Sequence, residues 1–100
     1  MNVEIISVNF TVAQHLTDFV NKKVSKFEQL FDHIINVKVH LRLGNNQDLE
    51  NKAAEIRIEV PGGSDLFAKK QSKTFEESVD ECVDALKKQL TKHKEKLRGV

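Results

Sequence analysis

The chain has 100 residues, of which 39% are hydrophobic and 31% charged, with a net charge of +1. That length suffices for one domain with its own core, and the balanced total excludes nucleic-acid binding by bulk charge, so any such case rests on where the charges lie. A single cysteine excludes a disulfide framework, no run approaches the roughly 18 apolar residues of a membrane span, and residues 1–10 lack the charged-then-apolar pattern of a secretory leader, so residues 1–100 read as one cytoplasmic domain.

Residues 3–9 are rich in β-branched side chains and read as a strand. Between residues 12 and 31, Val12, Leu16, Phe19, Val20, Val24, Phe27, Leu30 and Phe31 recur at helical spacing, predicting one continuous helix opened by a Thr11–Gln14 capping box. Residues 34–43 alternate strictly: Ile35, Val37, Val39, Leu41 and Leu43 face a core, while Asn36, Lys38, His40 and Arg42 face water. A polar turn region, GNNQDLENK, leads to a third strand at 54–60, with Ala54, Ile56, Ile58 and Val60 inward. Pro61-Gly62-Gly63 is a tight turn, residues 66–70 a fourth strand, and Thr74 with Glu77 a capping box that opens a last helix.

That last helix, residues 74–98, carries the most information. Phe75, Val79, Cys82, Val83, Leu86, Leu90 and Leu97 form one apolar stripe, and the wet surface changes sign halfway along. Glu76, Glu77, Asp80, Glu81 and Asp84 fill the first half; Lys87, Lys88, Lys92, Lys94, Lys96 and Arg98 fill the second, interrupted by Glu95. Complementing the helix macrodipole accounts for charges in the terminal turns only. A basic cluster spanning several turns goes beyond that and points to a polyanion.

The order β-α-β-β-β-α predicts an α+β fold: a four-stranded mixed sheet, parallel across the helical crossover and antiparallel among the last three strands, with two helices packed on one face. Lys38, His40, Arg42, Glu55, Arg57 and Glu59 then occupy the open face, which reads as a solvated surface of cross-strand charge pairs.

Little in the chain points to catalysis. His15, His33, His40 and His93 fall on different elements without metal-ligand spacing, Gly62-Gly63 opens no helix that could cradle a phosphate, and the carboxylates lie on solvent faces. No metal, cofactor or small-molecule substrate is called for, and Cys82 on the apolar stripe reads as a buried structural thiol. A ribonuclease using two of the histidines stands as the enzymatic alternative. On the first helix, Lys22 and Lys26 share one flank and Lys23 lies nearer the apolar stripe; two helices side by side would bring Lys23 and Lys26 next to Lys88 and Lys92 across a shared groove suited to a phosphate backbone. The absence of Trp and Tyr argues against a base-stacking platform and favours recognition of shape and phosphate.

The run FVNKKVSKFEQLFDHI, followed by NVKVHL, the turn PGG and DALKKQLTKHKEKLR, closely resembles the short form of the ribosome hibernation promoting factor family and the related protein Y, over essentially the whole chain. KKQLTKHKEK is its most specific part. The resemblance implies a fold similar to double-stranded RNA-binding domains and a non-enzymatic translation inhibitor of stationary phase or stress. Such a protein sits in the messenger and transfer RNA channel of the small ribosomal subunit, contacts ribosomal RNA through basic helix residues, and is monomeric off the ribosome. By position, that contact falls to Lys23, Lys26, Lys88, Lys92, Lys94 and Lys96. A double-stranded RNA-binding module acting on free RNA is the alternative in the binding class. The chain departs from the family pattern where Thr74, Phe75 and Glu76 replace Asp-x-Tyr at the start of the last helix, and where Ala13 takes the usual cap position of the first.

Overall fold

The computed structural model describes residues 1–45 and 47–97. Its elements are β1 (Asn2–Val8), α1 (Gln14–Val24), a single turn α2 (Phe27–Leu30), β2 (Asn36–Leu43), β3 (Lys52–Glu59), β4 (Leu66–Ser72) and α3 (Phe75–Leu97). The strands form one four-stranded sheet in the order β1-β2-β3-β4. β1 runs parallel to β2, from Asn2 opposite Asn36 to Val8 opposite Arg42, and the β2–β3 and β3–β4 pairs are antiparallel. This is the mixed α+β architecture that the alternation and turn signals imply.

One sheet face carries the core. Val37, Val39 and Leu41 from β2, Ala54, Ile56 and Ile58 from β3 and Ala68 from β4 are buried beneath Leu16, Val20 and Val24 of α1, Phe27 of α2, and Val79, Cys82, Val83, Leu86 and Leu90 of α3. Among the described side chains, Leu90 is the last buried residue of α3, and beyond it His93 rests against Phe31 at the edge of the core. The molecule is elongated, 48 × 23 × 20 Å.

Three local expectations are corrected. The single helix predicted for residues 12–31 is broken: Ser25 donates its hydroxyl to the Lys22 carbonyl at 2.8 Å, and the N–H groups of Lys26, Glu28 and Gln29 bond three residues back rather than four. Serine back-bonding of this kind bends helices, and here it separates α1 from α2. Thr11 does not cap α1. Its N-cap is Ala13, which has no side-chain acceptor to offer. Ile35 stands 47% exposed because β2 begins at Asn36, and Ile34 fills the core in its place.

At the other helix the expectation holds, since Thr74 Oγ1 accepts the Glu77 N–H at 3.1 Å. The turn glycines Gly62 and Gly63 adopt φ of 96° and 81°, values that disfavour any residue with a Cβ. Cys82 is fully buried with its Sγ 3.3 Å from the Ala54 carbonyl, and burial raises its pKa to about 11. The side chain of Leu97, placed on the stripe, and Arg98, placed in the basic run, lie outside what the structure describes.

Candidate nucleic-acid interface

The helix pattern turns the lysines of the basic half of α3 away from the buried Leu86 and Leu90. Lys88, Lys92 and Lys96 follow i, i+4, i+8 spacing and are exposed, so they form one stripe of like charge along the helix. Such a stripe is mildly unfavourable for an isolated helix, and a polyanion relieves it. Lys88 and Lys92, with Lys87, Thr91 and Glu95, line an open groove of about 440 Å³ whose far wall is Leu30 of α2. Lys92 and Lys96 also border a hollow of about 430 Å³ against Ser64 and Leu66, beside the glycine turn. Lys94 lines a different depression, of about 530 Å³, with Glu28 to Leu30 of α2 and Phe31 to His33 of the α2–β2 connection. The cations therefore wrap the projecting end of the helix rather than sharing one line.

The first helix contributes less than expected. Lys23 is held in an ion pair with Asp80 of α3 at 2.8 Å, and its ammonium also lies 5.4 Å from the centre of the Phe19 ring. The side chain is thus neutralised by the acidic half of α3, which the charge pattern of either helix alone does not reveal. Lys26 is half-buried at the α1–α2 break and forms no ion pair among the described residues. The groove that does form joins α2 to α3, and sequence reasoning missed Leu30, Thr91 and Lys87 as its lining. Their signal was present in the apolar Leu30 at the end of the helical run, next to the lysine-rich turn it packs against.

Two histidines that are distant in sequence converge. His33 and His93 each stand edge-to-face with Phe31, at centroid distances of 5.5 and 5.3 Å. His93 Nε2 is buried without a hydrogen-bond partner among the described residues, and His33 pairs with the exposed Asp32. An aromatic edge is a packing partner, so this pair anchors the overhanging end of α3 to the α2–β2 connection. No group of three His, Cys, Asp or Glu side chains among the described residues could hold a metal ion. Among the described residues no helix is long and apolar enough to cross a membrane.

A four-stranded mixed sheet with both long helices on one face, and a last helix whose C-terminal half is wrapped in lysines, defines a small α+β domain whose exposed chemistry fits phosphate. The chain belongs to the Sigma 54 modulation protein / S30EA ribosomal protein family, whose pattern matches residues 3–98. It is 34% identical over 100 residues to a ribosome hibernation promoting factor of Pseudomonas putida, covering 100% of this chain and 93% of that protein. A ribosome hibernation promoting factor of Klebsiella oxytoca is 33% identical over 98 residues, covering 98% of both chains. The fold matches a ribosomal subunit interface protein of Coxiella burnetii with a TM-score of 0.81 at 23% identity, covering 94% of this chain and 98% of that one. Family membership places the chain among hibernation factors, outside the enzyme classes, and removes the ribonuclease alternative.

Proposed function

We propose that this protein is a cytoplasmic ribosome hibernation factor that binds the small ribosomal subunit in its messenger and transfer RNA channel and silences translation in stationary phase or stress. Residues 1–100 act as one binding domain, monomeric off the ribosome. The observation that carries the reading is the Lys88–Lys92–Lys96 stripe, exposed along the C-terminal half of α3, with Lys92 and Lys96 beyond the buried Leu90. A helix end that overhangs its own core can enter a cleft and meet phosphates without unfolding anything. The relatives named as hibernation promoting factors supply the ribosome as the partner.

Within this reading Lys88, Lys92 and Lys96 contact ribosomal RNA phosphates directly, Lys94 contacts them from the α2 side, and Lys26 flanks the groove. Lys23 joins them after exchanging Asp80 for phosphate. Occupying the channel excludes messenger and initiator transfer RNA by volume, which requires no catalytic group. The test is co-sedimentation with vacant small subunits over a salt series. Binding should weaken by about 0.7 to 0.9 log units per log unit of salt for each phosphate neutralised; a flat dependence overturns the lysine contact.

A further inference from the structure

The open face of the sheet does not behave as the expected lattice of paired charges. The register sets Glu4, Lys38, Arg57 and Phe67 in one rank across all four strands, with Ile6, His40, Glu55 and Lys69 in the next. Glu4 faces Lys38 and Glu55 faces Lys69, yet neither lysine forms an ion pair among the described residues. Glu59 is turned to the Asn36 amide at 2.5 Å. Arg57 reaches Asp65 only at 3.7 Å, and its guanidinium lies 5.3 Å from the centre of the Phe67 ring.

Phe67 is 41% exposed at a solvent-facing position of an edge strand, and the Arg57 side chain is itself 52% exposed. Cross-strand packing alone accounts for the contact between them. It does not account for a cation–ring pair left open to water with an unpaired lysine on either side, Lys38 across the sheet and Lys69 along β4.

Aromatic rings and guanidinium planes on an open sheet are the surfaces on which unstacked RNA bases settle, while lysines beside them take the phosphates. We propose that the Arg57–Phe67 pair is a stacking site for one unpaired base of single-stranded RNA, with Lys38 and Lys69 on the flanking phosphates. This second contact lies on the sheet face opposite the α3 stripe and rests on the reading of the protein as an RNA binder. It also revises the expectation, drawn from the lack of Trp and Tyr, that base stacking plays no part. An acidic protein segment would meet the same cations, but it would have no use for the exposed ring face.

The chain contains no Trp or Tyr, so the Phe67→Trp variant carries a single fluorescent reporter at the site itself. Its emission is followed during titration with hexaadenylate, with the same strand lacking its bases, and with an oligoglutamate peptide; thermal melts confirm the fold of each variant. Hexaadenylate should quench the indole, the baseless strand and the peptide should not, and adding Arg57→Ala should weaken the response roughly tenfold. Arg57→Lys, which keeps the charge and loses the plane, should weaken it nearly as much.

Equal quenching by the baseless strand, quenching by the peptide alone, an unquenched indole at saturating RNA, or an Arg57→Lys variant indistinguishable from the parent each overturns the stacking site. Small-subunit pelleting of the unsubstituted protein, run alongside, separates the two ideas. Intact pelleting with an unquenched indole removes only the stacking site, whereas lost pelleting removes the ribosomal reading itself.

Discussion

Reversing Lys88 and Lys92 together to Glu isolates the α3 stripe from the rest of the molecule. Both side chains are exposed, so their phosphate contacts operate in nearly aqueous dielectric, where opposite unit charges 4 Å apart gain about 1 kcal/mol. The double reversal replaces two attractions by two repulsions, about 4 kcal/mol before screening and about 2 to 3 kcal/mol at physiological salt, or roughly 30- to 150-fold in affinity. The salt slope should also fall by about 1.4 to 1.8, the share of two phosphates. Stability should change far less. Neither lysine forms an ion pair among the described residues, so the reversal at Lys88 sets at most an unfavourable acid at i, i+4 from Asp84, about 0.2 to 0.5 kcal/mol, and Lys92 lies more than a turn from the end of α3 at Leu97, where the dipole penalty of an acid is small. The charge-matched control is Lys70 with Lys73, both exposed at the opposite end of the molecule near the acidic half of α3. Pelleting with small subunits beside thermal melts reads both quantities. If the control loses binding while Lys88→Glu/Lys92→Glu keeps it, the protein docks through another surface.

Asp80→Asn should release Lys23 from its ion pair and raise small-subunit affinity severalfold, while costing only about 0.2 to 1 kcal/mol in a melt because the pair is partly exposed. Unchanged affinity would show that Lys23 stays outside the interface. Cys82→Ala should destabilise the fold by about 1 kcal/mol and leave affinity per folded molecule intact, and the native thiol should resist alkylation at pH 8. Because burial lifts this pKa from 9.0 to about 11, the neutral thiol's stabilisation is complete below pH 9 and is lost as pH rises toward 11. The stability difference between parent and Cys82→Ala should therefore shrink across that window, and a difference that holds constant would refute the burial argument. Ser78 is fully buried; it donates to the Lys52 carbonyl at 2.5 Å and lies 2.7 Å from the Ser72 hydroxyl, tying the first turn of α3 to β3 and β4. Ser78→Ala should cost about 1 to 3 kcal/mol by leaving these groups unpartnered, lowering the melting temperature by at least about 4 °C.

The fold was legible because its elements announce themselves by period. Strict alternation fixed the inward face of β2 and β3, and the i, i+3, i+4 stripe fixed the buried face of α3 from Val79 to Leu90. The end of the first helix was not legible, because a serine hydroxyl that turns back to its own backbone leaves the hydrophobic period through Phe27 undisturbed. Ile35 misled for a related reason: alternation continues in the sequence one residue beyond the point where the backbone enters the sheet.

At the candidate site, the exposure of Lys88 and Lys92 follows from helical geometry alone. The capture of Lys23 by Asp80 does not, since it depends on how α1 sits against α3, and neither does the Arg57–Phe67 contact, which needs the β3–β4 register. Periodicity says which face a residue takes; only the register says who stands beside it.

The occlusion account is tested most directly by competition on the small subunit. Vacant subunits are charged with labelled messenger and initiator transfer RNA, the protein is titrated in, and all three are quantified in the same sedimenting peak. Mutual exclusion, with both RNAs leaving as the protein enters and both retained against Lys88→Glu/Lys92→Glu, is the expected result. Protein bound at full occupancy beside undisturbed messenger and transfer RNA would contradict it.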